Sequence, residues 1–218
     1  MTACLRCTTR AGMQPGLDFH RRRGGMKPAT DPRDAAARAA ALVGLVSDPG
    51  RFGRIRSVNP HEVPEPARSL LDHPSHMTVA MERFHGGEVR LRVVKTLDAG
   101  GGDGTPPAGY VREILLENQA GRIIQYGIVR IELTSLDAAT VRAIRDAQRP
   151  LGRILIEAGV LRDVRDVALL EVVPGPWLAE VLRPAEGIVG GPPLYGRVAD
   201  IQLNGRPAVE LLEIVVPA

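Results

Sequence analysis

The second half of the chain alternates apolar and polar residues in segments that are joined by tight-turn signals. These segments are Tyr110–Glu117 and Arg122–Leu133, flanking Asn118-Gln119-Ala120-Gly121, and Tyr195–Leu203 and Pro207–Val216, flanking Asn204-Gly205. A period of two is typical of strands with one buried face, and Asn-Gly between two such runs is a strong hairpin signal. The pattern therefore predicts two antiparallel hairpins.

Helical signals lie before and between these strands. Asp31 and Pro32 open a predicted helix that runs to about Val46, because Asp caps helices and Pro is tolerated in the first turn. The other predicted elements are helices at about residues 76–85, 136–148 and 151–158, strands from residue 88 and over 168–174, and a Pro-rich irregular stretch over 51–68. Helices interspersed with hairpins indicate an α+β domain with a single, largely antiparallel sheet.

Positive charge is concentrated at the start of the chain. Residues 1–56 carry a net charge of +7, whereas residues 57–218 carry −4. Residues 1–28 show no periodicity and are rich in Arg, Gly and Thr, so we predict a flexible basic leader followed by one domain over residues 29–218. A basic arm can contact nucleic acid or an acidic partner, or it can be a solvated extension. We favour the solvated extension.

The composition argues against several classes of protein. The seven aromatic residues are too few for a surface that stacks single-stranded nucleic acid, so no nucleic-acid partner is expected. No run of 18 apolar residues occurs, so no membrane span is predicted. Arg21-Arg22-Arg23 is followed by Gly24-Gly25 rather than by an apolar stretch, which argues against an export signal and indicates a cytoplasmic protein.

Neither a metal site nor a cysteine-based site is predicted. Cys4 and Cys7 form a lone Cys-x-x-Cys pair, whereas structural zinc takes four ligands. Three histidines lie between residues 73 and 85, but no two of them are four residues apart, the spacing of a metal-binding helix. These histidines are interpreted as ordinary surface or boundary residues.

Two charged residues interrupt the apolar faces of predicted central strands. By alternation, Arg112 shares a face with Ile114, and Glu213 shares a face with Leu211. Burying either charge without a partner is costly. The two could form a buried ion pair, or they could line a cavity and bind opposite ends of a small polar molecule, and the pattern alone does not separate these alternatives.

Ordered motifs over residues 75–217 carry a family resemblance. They are Met77-Thr78 with Glu82, Val111-Arg112-Glu113-Ile114-Leu115-Leu116, Pro150-Leu151-Gly152-Arg153, Tyr195-Gly196-Arg197, Asn204-Gly205-Arg206-Pro207 and a closing segment over 213–217. In this order they resemble the chorismate lyase (chorismate pyruvate-lyase) superfamily, which also includes the ligand-binding domains of some transcription regulators. The resemblance covers about two thirds of the chain.

The resemblance implies a six-stranded antiparallel sheet with helices packed on it, enclosing an internal ligand pocket. It also implies an enzyme that converts chorismate to 4-hydroxybenzoate and pyruvate without a metal or cofactor. In such an enzyme Arg112 would hold the ring carboxylate, and Glu213 would face the opposite ring oxygen, as the two catalytic residues. Met77, Leu151 and Gly152 would supply pocket wall and backbone contacts.

Two other functions stay open beside this one. A non-catalytic module of the same fold would bind a small aromatic acid without turnover, and a related lyase or rearrangement enzyme would act on another cyclic substrate. Regulators in the superfamily carry a separate DNA-binding domain, for which residues 1–50, with one good helix, are too short. The favoured interpretation is therefore a cofactor-free, monomeric chorismate lyase.

Overall fold

Seven antiparallel strands form one sheet. They are β1 Gly53–Val58, β2 Arg90–Ala99, β3 Gly109–Glu117, β4 Ile123–Ile131, β5 Arg162–Pro174, β6 Leu194–Leu203 and β7 Arg206–Val215, in the spatial order β1-β5-β6-β7-β4-β3-β2. The computed structural model describes residues 32–99, 109–182 and 191–217. The predicted basic leader over residues 1–28, with its Cys-x-x-Cys pair, lies outside the described residues.

Seven α-helices accompany the sheet within the described residues. They are α1 Pro32–Val46, α2 Pro49–Phe52, α3 Ala67–Leu71, α4 Met77–His85, α5 Ala138–Arg145, α6 Leu151–Glu157 and α7 Pro176–Val181, with a single 3-10 turn at Pro60–Glu62. The α+β class and the antiparallel sheet are confirmed. None of these helices is long and apolar enough to cross a bilayer.

The sheet is larger than the six strands that the resemblance implies. Strand β1 lies in the Pro-rich stretch that was predicted to be irregular, and it pairs along its whole length with β5, from Gly53 opposite Pro174 to Val58 opposite Leu169. Strand β5 begins at Arg162, six residues before the predicted start. Its first half carries charges of both signs, which obscure the alternation of apolar and polar residues. The strand also contains a register shift between Arg165 and Ala168.

Helices cover both faces of the sheet. On one face, α1, α2 and α7 bury residues such as Val43, Phe52 and Leu178 in one apolar core. On the other face, α3 and α4 contribute Leu71, Met77 and Met81 to a second core, and α5 and α6 contribute Ile144, Ile154 and Leu155 to a third. The candidate site lies on this second face, between the cores of α4 and α6.

The hairpin between β6 and β7 contains a bulge. Asn204 and Gly205 have φ of 50° and 77°, the left-handed conformation that a tight two-residue hairpin turn requires. Gln202 lies opposite Pro207, whereas Ile201 lies opposite Val209, so Ala208 is an extra residue in β7. The shifted register places Arg197 of β6 directly opposite Glu213 of β7.

One acidic residue is buried on the face of the sheet that α1, α2 and α7 cover. Glu113 of β3 is 0% exposed, and its Oε1 accepts a hydrogen bond of 2.7 Å from the hydroxyl of Tyr126 on β4. Burial raises the pKa of the Glu113 carboxyl, and the hydrogen bond from Tyr126 acts in the opposite direction. Glu113 faces away from the candidate site, since it lies between Arg112 and Ile114 on β3.

Candidate functional site

A small cavity lies between the sheet and the first residues of α4 and α6. Its volume is about 50 Å³. Four of the five predicted site residues line it, namely Met77, Leu151, Gly152 and Glu213. Arg112 is not among the lining residues, although Ile114, its neighbour on the same face of β3, is one of them.

Packing of the two helices on the sheet forms the wall of the cavity. Helix α4 begins at Met77 and α6 begins at Leu151, directly after Pro150. An ion pair of 2.6 Å between Arg153 of α6 and Glu82 of α4 joins the helices. Met77 is 2% exposed and Leu151 is 9% exposed, so both side chains are held by the apolar cores on this face. The predicted wall residues are therefore brought together by α4 and α6.

Glu213 is paired with an arginine that sequence reasoning did not assign to the site. The Arg197 Nε donates to Glu213 Oε2 over 2.7 Å, and the Arg197 side chain is 1% exposed. Its terminal nitrogens also donate to the carbonyls of Leu71, His73 and Ser75. Arg197 therefore joins the end of β7 to the segment between α3 and α4.

Arg112 and Glu213 are not in direct contact. Arg112 lies opposite Val129 of β4, which lies opposite Leu211 of β7. Glu213 is thus two strands across and two residues along from Arg112, and standard strand spacings put their Cα atoms roughly 12 Å apart. The first of the two open alternatives, a buried ion pair between these two residues, is wrong.

The guanidinium of Arg112 is buried with little to bind it. The side chain is 1% exposed, and Nη1 makes a long contact of 3.4 Å with the carbonyl of Arg149, the residue before Pro150 of the cavity wall. Its Nε has no hydrogen-bond partner among the described residues, and the nearby buried hydroxyl of Tyr110 has none either. Burial lowers the pKa of the Arg112 guanidinium.

His76 lies between the cavity and the surface. Like Val164, it lines both the cavity and an open depression of about 510 Å³ formed by Pro74 and residues 159–164. Its ring packs on Gly152, where an added Cβ would lie 3.3 Å from Nδ1, and its Nε2 accepts a hydrogen bond from Arg162 Nε. Burial, and then the charges of Arg162 and Arg197, lower the pKa of His76 to about 4. The imidazole is therefore neutral at pH 7.

Sequence analysis did not identify Arg197 and His76 as site residues, for different reasons. Arg197 belongs to a motif that was recognised, and its position in the alternating run Tyr195–Leu203 was a usable signal of a third inward charge. His76 is the first residue of a predicted helix, and nothing in the local pattern distinguishes it from a surface histidine. Within the described ranges, no group of three or more His, Cys, Asp or Glu side chains is arranged to hold a metal.

Comparison with known proteins finds likeness only among solved structures. No family model matches the chain, and no curated protein sequence matches it either. The effector domain of PhnF from Mycobacterium smegmatis is 12% identical with a TM-score of 0.46, over 64% of this chain and 87% of that one. PhnF from the same organism is 14% identical with a TM-score of 0.43, over 82% of this chain and 93% of that one.

A third structure is the ligand-binding domain of a candidate GntR-family transcriptional regulator from Bordetella bronchiseptica. It is 16% identical with a TM-score of 0.42, over 59% of this chain and 85% of that one. The assignment to chorismate lyase itself is not confirmed by these structures.

The prediction of an enzyme is wrong. The similar structure from Bordetella bronchiseptica is described as the ligand-binding domain of a transcriptional regulator, not as a lyase, and this is the finding against the prediction. The carboxylate of Glu213, predicted to be catalytic, is paired with Arg197.

Proposed function

We propose that this chain is a non-catalytic ligand-binding module that holds a small organic acid between the sheet and helices α4 and α6. The observation that supports this function is the buried guanidinium of Arg112. It is 1% exposed, with one long contact to a carbonyl and an Nε that has no partner in the described part of the chain. A buried charge of this kind is strongly unfavourable without a counter-ion.

A carboxylate is the ligand group that suits Arg112 best. Arginine presents its donors as a planar fork, which matches the two oxygens of a carboxylate. The Arg149 carbonyl that Arg112 contacts directly precedes Pro150, a residue of the cavity wall. A carboxylate bound to Arg112 would therefore lie at this end of the cavity, and the rest of the acid would pack against Met77 and Leu151.

The apolar wall favours an aromatic acid, which requires the cavity to widen. The present volume of about 50 Å³ holds a few water molecules but not a ring. His76 and Val164 are wall residues that line both this volume and the open depression beside it. Displacement of the His76 ring would join the two spaces.

Calorimetric titration with benzoate and 4-hydroxybenzoate tests this function. Wild-type protein is expected to bind both acids, and Arg112→Met is expected to bind neither measurably, since the carboxylate loses the guanidinium that is proposed to bind it. Arg130→Met is the matched control. Arg130 lies on the neighbouring strand β4, is 40% exposed and pairs with Glu210, so its loss should leave the affinity unchanged.

The unliganded protein provides a second measurement. Removing a buried, unpaired charge is expected to raise the melting temperature of Arg112→Met above that of the wild type. Unchanged acid binding by Arg112→Met would contradict the proposal, as would the absence of binding by the wild type. Chorismate incubated with the protein is expected to release pyruvate no faster than chorismate alone.

A further inference from the structure

We propose that residues 72–76 form a gate over the cavity, which opens when His73 and His76 are protonated. This segment links α3 to α4 and contains neither helix nor strand. Ser75 and His76 line the cavity, and Pro74 and His76 line the open depression beside it. Displacement of the segment would therefore connect the cavity to the surface.

Side chains, rather than the backbone, hold this gate on the sheet. None of the backbone hydrogen bonds among the described residues joins residues 72–76 to a strand. Instead, Arg197 of β6 donates to two carbonyls of the gate over 2.7 Å and 3.1 Å, and Arg162 of β5 donates to the ring of His76. The position of the gate therefore depends on two arginines.

The contact between Arg162 and His76 requires a neutral imidazole. The Nε of an arginine carries a hydrogen and can only donate, so the Nε2 of His76 must accept. Protonation adds a hydrogen to this nitrogen, because an imidazolium has donors only. The hydrogen bond would then be lost, and two cations would lie in direct contact.

The ring of His73 serves as an acceptor in the same way. Its Nδ1 lies 3.1 Å from the backbone nitrogen of Ser75 and 3.4 Å from Nη1 of Arg197. Both of these nitrogens can only donate, so Nδ1 carries no hydrogen in the neutral ring. Protonation of His73 would place an N–H group against both donors and would weaken the hold of Arg197 on the gate.

Arginines dominate the charged surroundings of His76. Arg162 of β5 and Arg197 of β6 face it, and burial, followed by these two charges, lowers its pKa to about 4. Asp163 of β5 lines the same depression and is itself paired with Arg165. Helix α6 packs on the ring through a glycine. The surroundings of His76 therefore favour the neutral ring and the closed gate.

His73 faces one cation and one anion. Burial, and then the charge of Arg197, lower its pKa, whereas Glu213 of β7 and the carbonyls of Leu70 and His73 act in the opposite direction. Glu213 also lines the cavity with His76, and its carboxylate is paired with Arg197. His76 therefore contributes most of the pH dependence, and His73 adds to it.

The two states of His76 set the size of the effect. In the closed gate its pKa is about 4, and a released ring has the ordinary value of 6.5. The closed gate is therefore most stable above pH 6.5, and it loses stability as the pH falls from 6.5 towards 4. Between pH 7.5 and pH 5, the equilibrium constant for opening is expected to rise roughly 30-fold.

Thiol labelling measures this opening without any ligand. Leu155 of α6 is buried in the cavity wall, and its neighbour Ile154 is also buried but does not line the cavity. Leu155→Cys and Ile154→Cys are each made in the full chain together with Cys4→Ser and Cys7→Ser, and are reacted with methyl methanethiosulfonate. Each rate is divided by that of the urea-unfolded protein at the same pH, which corrects for ionisation of the thiol.

The corrected rate of Leu155→Cys is expected to be roughly 30-fold higher at pH 5 than at pH 7.5, and that of Ile154→Cys is expected to change little. Addition of His73→Gln and His76→Gln should remove this rise, because glutamine keeps an acceptor and does not titrate. His61→Gln, in the exposed 3-10 turn, is the matched control and should retain the rise.

Equal corrected rates of Leu155→Cys at the two pH values would overturn the inference, as would a rise that persists after both histidines are replaced. An equal rise for Ile154→Cys would show that acid loosens the whole domain rather than the gate, and would overturn it too. The consequence for ligands rests on the proposed function: benzoate is expected to associate and dissociate faster at pH 5 than at pH 7.5. Failure to bind any acid would overturn that function and leave the labelling result as it stands.

Discussion

Three charged side chains, Arg112, Arg197 and Glu113, are each 1% exposed or less, and the fold accommodates each in a different way. Arg197 has an ion pair and three backbone carbonyls. Glu113 has the hydroxyl of Tyr126. Arg112 has one long contact with a carbonyl. Complete satisfaction of Arg197 indicates a structural role, whereas the incomplete satisfaction of Arg112 leaves room for an anionic ligand.

Glu113 makes the stability of the protein depend on pH. Burial raises its pKa in the folded state above the ordinary value of 4.5, so the folded protein holds a proton that the unfolded chain has already released. Stability therefore falls as the pH rises from about 4.5 to the pKa of the folded state and is constant above it. We expect Glu113→Gln to remove this fall, so that its melting temperature exceeds that of the wild type by more at pH 8 than at pH 4.

Melting curves of both proteins between pH 4 and pH 8 measure this difference. Tyr126→Phe provides a matched comparison, because it removes a hydrogen bond that opposes the rise in the pKa of Glu113. In that variant the fall in stability should extend to higher pH. A difference between Glu113→Gln and the wild type that shrinks with increasing pH would contradict the expected linkage.

At the scale of elements, alternation and turn signals predicted most of the strands and missed β1 and the first half of β5. Strands β2, β3, β4, β6 and β7 lie where the period of two placed them. Strand β1 was missed because the prolines around it indicated an irregular segment. Proline is compatible with an edge strand, which needs fewer ladder hydrogen bonds than a central strand. The first half of β5 was missed because its exposed charges conceal the alternation.

The candidate site was predictable only where its residues carry a signal within a single strand. Arg112 and Glu213 interrupt apolar faces within single strands, which is a local signal. The partner of Glu213 depends on register. A strict two-residue turn would place Glu213 opposite Gly196, and Arg197 would then lie on the other face. The bulge at Ala208 reverses this, and no turn signal in the sequence specifies a bulge.

The contact between α4 and the β5 segment is expected to control the rate of ligand exchange. His76 closes the cavity at this contact, so His76→Ala should speed both association and dissociation of 4-hydroxybenzoate several-fold and change the dissociation constant little. Stopped-flow fluorescence or relaxation NMR can measure both rates. Rates equal to those of the wild type would show that the ligand enters elsewhere. Surface His61→Ala, in the 3-10 turn, is the control.

At the scale of the whole molecule, the order of the strands predicts where the fold opens first. Strand β7 is central, with three strands on each side, while β1 and β2 are the two edges. Edge strands have unpaired amides and fewer covering contacts. In hydrogen exchange followed by mass spectrometry, peptides from β7 are expected to exchange slowest and those from β1 and β2 fastest among the strands. Equal protection of β2 and β7 would contradict a sheet that opens from its edges.

The extra residue at Ala208 makes the last hairpin sensitive to chain length. A substitution at this position keeps the number of residues in the hairpin, so Arg197 and Glu213 stay on the same face of the sheet. Removal of one residue there would shift the register of β7 against β6 by one residue, so that the side chains of one strand would turn to the other face of the sheet. Arg197 and Glu213 would then lie on opposite faces of the sheet. Each face would contain a buried charge without its partner.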